Sequence, residues 1–332
     1  MFRRAGQLSV RFFATARPLQ HENPLGLPRK PGPPPQIPRR GGQIERRPIA
    51  NVKKVVAVAS GKGGVGKSTI AVNLAFALGL LRNADTRLRI GILDLDVFGP
   101  SIPTLMGLQN APEPQLTASG AIRPLTNHGV PCMSMGFLLP RTEGHVDTPI
   151  VWRGLMVQKA VQQLLFDVDW TGGQGGPGLD VLVIDMPPGT GDVPLTLGQL
   201  VRVDGAVIVS TPQDVALADV RKGIAMFQKV SVPIIGLILN QAHFICPTCT
   251  TSHSLFGPPD AFRSTAKRLT LDIMAELPLV PHVSMSSDEG RPYMLFQHDT
   301  STAVPAGEGK DQWLEGMMHA AQAVWKKTRM PV

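Results

Sequence analysis

Residues 55–69 read Val-Val-Ala-Val-Ala-Ser-Gly-Lys-Gly-Gly-Val-Gly-Lys-Ser-Thr, and this stretch limits the fold most sharply. Val55 to Ala59 are five small or branched apolar residues, the pattern of a strand buried on both faces. A glycine-rich turn follows at once and fits the phosphate-binding spacing G-x-x-x-x-G-K-[ST] with Gly61, Lys62, Gly63, Gly64, Val65, Gly66, Lys67 and Ser68. Such a loop wraps a β-phosphate with backbone N–H groups, and side chains at 63, 64 or 66 would block the approach. A helix beginning at Lys67 turns its positive end toward the anion. Lys67 then reaches the β- and γ-phosphates, Ser68 ligates Mg²⁺, and Thr69 completes the nucleotide-binding run.

The segments downstream supply carboxylates where such a site needs them. Arg89 to Asp96 and Leu179 to Met186 read as strands, each ending in acids. In open parallel sheets ligands sit beyond the carboxyl ends of strands, so Asp94, Asp96 and Asp185 can face the phosphates. Asp185 suits a carboxylate that holds Mg²⁺ through water, and Gly189 or Gly191 can offer a backbone N–H to the γ-phosphate. Further apolar strands are expected at 130–139, 205–210 and 233–239, with helices at 70–81, 150–166 and 217–230. Residues 171–178 read as a surface loop. Strands alternating with helices predict an α/β fold with a doubly wound, mainly parallel sheet.

Cys246 and Cys249 form a C-x-x-C turn soon after Asn240. Two sulfurs do not complete a four-coordinate metal site. A symmetric pair of chains would supply the turn twice and give the four thiolates of a bridging [4Fe-4S] centre. Other readings stay open: a zinc site completed by His243 or His253, a thioredoxin-like redox pair, or two incidental cysteines. Cys132 lies in an apolar stretch and reads as a small buried hydrophobe.

Lys62 is a second lysine inside the loop. On that residue the sequence resembles the deviant P-loop ATPases, among them nitrogenase iron protein, the Min and Par partition ATPases and the Mrp/Nbp iron–sulfur carriers. The resemblance implies a sandwich homodimer in which Lys62 reaches the nucleotide of a facing subunit. It also implies that Asp96, in switch I, orients the attacking water or senses Mg²⁺, that residues 185–192 form switch II, and that the Asn240 amide pairs with the adenine edge. Further stretches narrow the resemblance to the Mrp/Nbp family, and within it to the mitochondrial branch required for complex I assembly. These are residues 48–53, 94–101 (Asp-Leu-Asp-Val-Phe-Gly-Pro-Ser), 132–137, 151–154 (Val-Trp-Arg-Gly), 162–165, 185–192 (Asp-Met-Pro-Pro-Gly-Thr-Gly-Asp) and 246–249. That family implies a slow ATPase using ATP and Mg²⁺, carrying a [4Fe-4S] cluster to complex I subunits or other apo-acceptors. In this reading Lys62, Asp96 and Asp185 carry the nucleotide chemistry. Thr250 stands where relatives usually have glycine, and Gln241 where methionine is common. A metal-free positioning switch ATPase, or a zinc-stabilised regulatory NTPase, are the alternatives.

The net charge of +8 invites a nucleic-acid reading that its distribution opposes. Residues 1–50 hold ten Lys/Arg and two acids, and the 23 bases and 23 acids that remain cancel. No nucleic-acid partner is therefore expected. Arg3, Arg4, Arg11 and Arg17, with no acid before Glu22, make residues 1–20 a mitochondrial presequence, with cleavage near Phe12 or Phe13. Residues 21–50 are a proline-rich linker, and 51–332 the ATPase domain with its cysteine loop near 241–258. Three cysteines in 332 residues are too few for a disulfide framework and suit the reducing mitochondrial matrix. Residues 311–327 read as an amphipathic helix expected to pack on the sheet, with peripheral inner-membrane association as its alternative.

Overall fold

The computed structural model describes residues 46–138, 154–172, 175–246, 248–297 and 309–329. The expected presequence, most of the proline-rich linker and the Trp152-Arg153 pair lie outside the described residues. The first half of the chain contains β1 (Val52–Ser60), α1 (Lys67–Leu80), a small hairpin of β2 (Arg82–Asn83) and β3 (Thr86–Arg87), β4 (Ile90–Asp94), α2 (Ile102–Leu105), β5 (Leu125–Asn127), β6 (Val130–Ser134) and α3 (Gly154–Phe166). The second half contains β7 (Leu179–Asp185), α4 (Asp192–Leu200), β8 (Gly205–Ser210), α5 (Asp214–Lys229), β9 (Ile234–Leu239), β10 (Phe244–Ile245), β11 (Ser252–His253), α6 (Asp260–Arg268), β12 (Ile273–Glu276), α7 (Pro281–Asp288) and α8 (Lys310–Arg329).

Eight strands form one sheet in the order β12-β9-β8-β1-β7-β4-β6-β5, parallel except for the β5–β6 pair. From β1 the chain crosses one way to β4, while from β8 it crosses the other way to β9. Right-handed crossovers in opposite directions place their helices on opposite faces. Accordingly α1 packs with α2 and α8, whereas α4 packs with α3 and α5. The sheet is doubly wound, as the alternation of strands and helices predicts.

Local sequence explains two of the buried elements. All seven residues of β7 are buried, including Asp180. That carboxylate accepts hydrogen bonds from Lys53 Nζ (2.8 Å), Arg89 N (2.9 Å) and the Arg89 guanidinium (3.2 Å). Burial pushes its pKa up, but these bonds outweigh burial and hold it below the usual carboxylate range. Helix α1 is apolar nearly all round, the signature of a helix enclosed on every side. Its one buried amide is satisfied at both ends: Asn73 Nδ2 donates to Thr69 O and Oδ1 accepts from Met294 N, each at 2.9 Å.

Among the boundaries that differ from the sequence reading are those of β6, α5 and α8. The strand expected over 130–139 stops at Ser134, and residues 135–137 form a 3-10 turn. Ser134 Oγ accepts from Gly136 N and donates to Asp94, which pulls the chain out of the sheet. The terminal helix is longer than expected, Lys310–Arg329, and buries Trp313, Leu314, Met317, Ala320, Ala321 and Val324. Among the described residues, no helix is long and apolar enough to cross a membrane.

Candidate functional site

The glycine loop leaves the end of β1 at the centre of the sheet and opens into α1. Gly66 adopts φ +79°, and a Cβ there would stand 2.5 Å from Asn240 Nδ2, so only glycine fits. Around Gly63 and Gly64 the space is open, which leaves room for a phosphate. Helix α1 has no side-chain cap and no acid in its first turn, so its leading N–H groups are available to an anion.

Both lysines and the asparagine assigned to nucleotide are held by protein partners here. Lys67 Nζ reaches Asp185 Oδ1 (2.5 Å) and Ser68 Oγ (3.1 Å), with Asp96 Oδ2 at 3.9 Å. The Asn240 amide donates to Val65 O (2.9 Å), bracing the loop from behind. Lys62 Nζ donates to Gln213 Oε1, at the start of α5. Of the two glycines expected to face the γ-phosphate, Gly189 donates its N–H to Ser60 O (2.9 Å) here, and Gly191 stands at the head of α4.

The parallel register of β4 and β7 sets Asp94 directly beside Asp185. Both are fully buried. Burial, and then the Asp185 charge, push the Asp94 pKa up to about 7 from its ordinary 3.8. Burial also raises Asp185, against the opposing pull of Lys67. Asp94 accepts from Asp96 N (2.9 Å), Ser134 Oγ (2.9 Å) and Ile102 N (3.3 Å), so it organises the segment that carries Asp96. Asp185 Oδ2 is buried without a hydrogen-bond partner, a vacant acceptor beside Ser68 that suits a hydrated cation.

The cysteines sit in the hairpin of β10 and β11, which pair antiparallel through Phe244–His253 and Ile245–Ser252. Cys246 N donates to Thr251 O (3.0 Å) and Thr250 N to Cys246 O (2.8 Å), closing a tight turn. Thr250 has φ +56°, a left-handed conformation that glycine adopts at lower cost. Cys249 is exposed and Cys246 half-buried. Hydrogen bonds led by Thr251, with Cys246 and His253 contributing, pull the Cys249 thiol down to about 6. Burial pushes Cys132 up to about 12, an inert thiol. His243 faces Gln312 of α8 at 3.4 Å. Among the described residues, no three His, Cys, Asp or Glu side chains are grouped to hold a metal ion.

Sequence reasoning located the loop, the strand-end acids and the thiols. It missed Gln213, which a residue-type pattern has no means of singling out. A second feature that no local pattern shows is the burial of Asp94, seated by Ser134 Oγ from 40 residues away.

The fold, the loop and the paired switch acids define a P-loop NTPase of the ParA/MinD architecture. The *Pyrococcus furiosus* cell division ATPase MinD shares it at TM-score 0.52 and 18% identity, over 82% of this chain and 98% of that one. The chain belongs to the ParA family described as NUBPL iron-transfer P-loop NTPases, matching over residues 51–308. A mouse iron-sulfur cluster transfer protein, NUBPL, is 49% identical over 79% of this chain and 77% of its own length. The mitochondrial iron-sulfur protein required for NADH dehydrogenase of *Arabidopsis thaliana* is 46% identical over 77% of this chain and 76% of its own. Among solved structures, the *Archaeoglobus fulgidus* nucleotide-binding protein in complex with ADP is 35% identical at TM-score 0.59, covering 73% of this chain and 88% of that one.

Proposed function

We propose that the chain is an ATP-dependent carrier that works as a homodimer in the mitochondrial matrix and delivers a [4Fe-4S] cluster to iron–sulfur subunits of respiratory complex I. One observation carries this reading: a hairpin presents two thiols in one tight turn, and the exposed one, Cys249, is drawn down to about 6 by its hydrogen bonds. A cubane cluster takes four thiolates, so two copies related by a two-fold axis supply a complete set. The names of the mouse and *Arabidopsis* relatives support both the cargo and its destination. The arginine-bearing, acid-free leader supports the compartment.

In this reading the nucleotide end works the interface. Lys67 leaves Asp185 for the β- and γ-phosphates, and Ser68 with the vacant Asp185 oxygen holds Mg²⁺, which offsets phosphate charge. Lys62 leaves Gln213 for the triphosphate of the facing copy. Asp96 orients the attacking water, and with no strong base beside it among the described residues hydrolysis is slow. Loss of the γ-phosphate relaxes the segments after Asp94 and Asp185 and so changes how tightly the two copies, and their shared thiols, are held.

Anaerobic reconstitution with iron and sulfide tests the proposal. The expected product is a dimer with one cluster per two chains and broad visible charge-transfer absorption, both lost in Cys246→Ser. Colourless protein holding one zinc per chain, or a coloured Cys246→Ser variant, would overturn it.

A further inference from the structure

The end of the sheet opposite the phosphate loop contains a cavity of about 550 Å³, bounded by the last turn of α1, the starts of β4, β6 and β7, and the segment after α3. A helix of 14 residues separates it from the nucleotide loop, about 20 Å by its rise. Its volume lies within the range of small-molecule sites, roughly 300–1,000 Å³. Phe76, Leu80, Ile90, Val130 and Leu179 make its wall apolar.

The polar groups around it share one sign. Arg87 and Arg89 line the cavity, and none of its described lining residues is acidic. Arg89 uses Nε and Nη2 on Asp180, which also receives Lys53, so two cations share one carboxylate and the cluster keeps a net positive charge. Arg87 makes no ion pair among the described residues. The Trp170 ring also belongs to the wall, and its Nε1–H is buried without an acceptor. The six-membered ring of that indole abuts Gly91, where a Cβ would meet Cζ3 at 3.1 Å, so the ring stands as a packed wall of the cavity.

We infer that this cavity is a binding site for a small amphiphilic carboxylate, its apolar tail against Phe76, Leu80 and Val130 and its head drawn to Arg87. Such a site is independent of the nucleotide and thiol chemistry proposed above.

Isothermal titration of the full-length protein with decanoate, decanol and decyltrimethylammonium, all below micellar concentrations, tests the inference. Decanoate is expected to bind one per chain, and decanol at least about fivefold more weakly, the scale of one partly exposed charge contact. Arg87→Gln should erase the difference between decanoate and decanol. Gly79→Leu should abolish binding by filling the cavity, because a Cβ at Gly79 meets nothing closer than Ile90 Cγ1 at 3.7 Å. Unchanged thermal melting would show that each variant folds, and a second cavity-filling variant, Val130→Phe, replaces any that does not. Equal binding of decanoate and decanol, retention of binding in the filled variants, many weak sites, or no binding would each overturn the inference.

Discussion

A single contact, Lys62 to Gln213, holds the second loop lysine within its own chain. If Lys62 serves a facing copy, that bond must break first, and a hydrogen bond to a charged group contributes about 1.5–3 kcal/mol before solvent exposure reduces it. Gln213→Ala is therefore expected to tighten ATP-dependent dimerisation by about fivefold, roughly 1 kcal/mol of released restraint. Sedimentation velocity across a concentration series reads this directly. No change, or a weaker dimer, would show that Gln213 does not restrain the lysine.

Between elements, the decisive feature is the parallel register of β4 and β7, which buries two carboxylates side by side. The Asp94 pKa rises from 3.8 to about 7 on folding, so the folded chain keeps a proton that the unfolded chain releases. Stability from this group is therefore full below 3.8 and is lost as pH rises toward about 7, with a slope of at most about 1.4 kcal/mol per pH unit. Urea unfolding of nucleotide-free protein at pH 5, 6 and 7 should show a slope that flattens in Asp94→Asn. An identical slope in both proteins would contradict this account. The same desolvation readies the site for a divalent cation, whose charge offsets the cost of ionising both acids.

Across the whole molecule, the terminal helix α8 closes the fold by covering α1, the helix that grows out of the phosphate loop. Trp313 anchors it, 1% exposed and edge-on to Tyr293 at 5.3 Å between ring centres. Trp313→Ala removes a buried indole at a cost of about 3–5 kcal/mol. The midpoint of denaturant unfolding should fall accordingly, with fluorescence and circular dichroism changing together. A near-neutral effect would mean that α8 is peripheral to the core.

What could be read from residues alone were the features encoded by local pattern. The apolar run 55–59 before a glycine loop, the acids closing 89–96 and 179–186, and the C-x-x-C turn each needed only neighbours in sequence, because backbone conformation and strand ends are set locally. Helix 217–230 and the terminal helix were legible from periodicity, with ends displaced by one to three residues because frayed turns lack a pattern of their own. Tertiary structure alone decided what depends on distant partners. Ser134 both ended β6 early and seated Asp94, Gln213 took Lys62, Ser60 took the Gly189 N–H, and Arg87, Arg89 and Trp170 met around one cavity. Burial and charge pairing are properties of the packed chain, and in this protein they determine which of the acids, lysines and donors visible in the sequence are free to act.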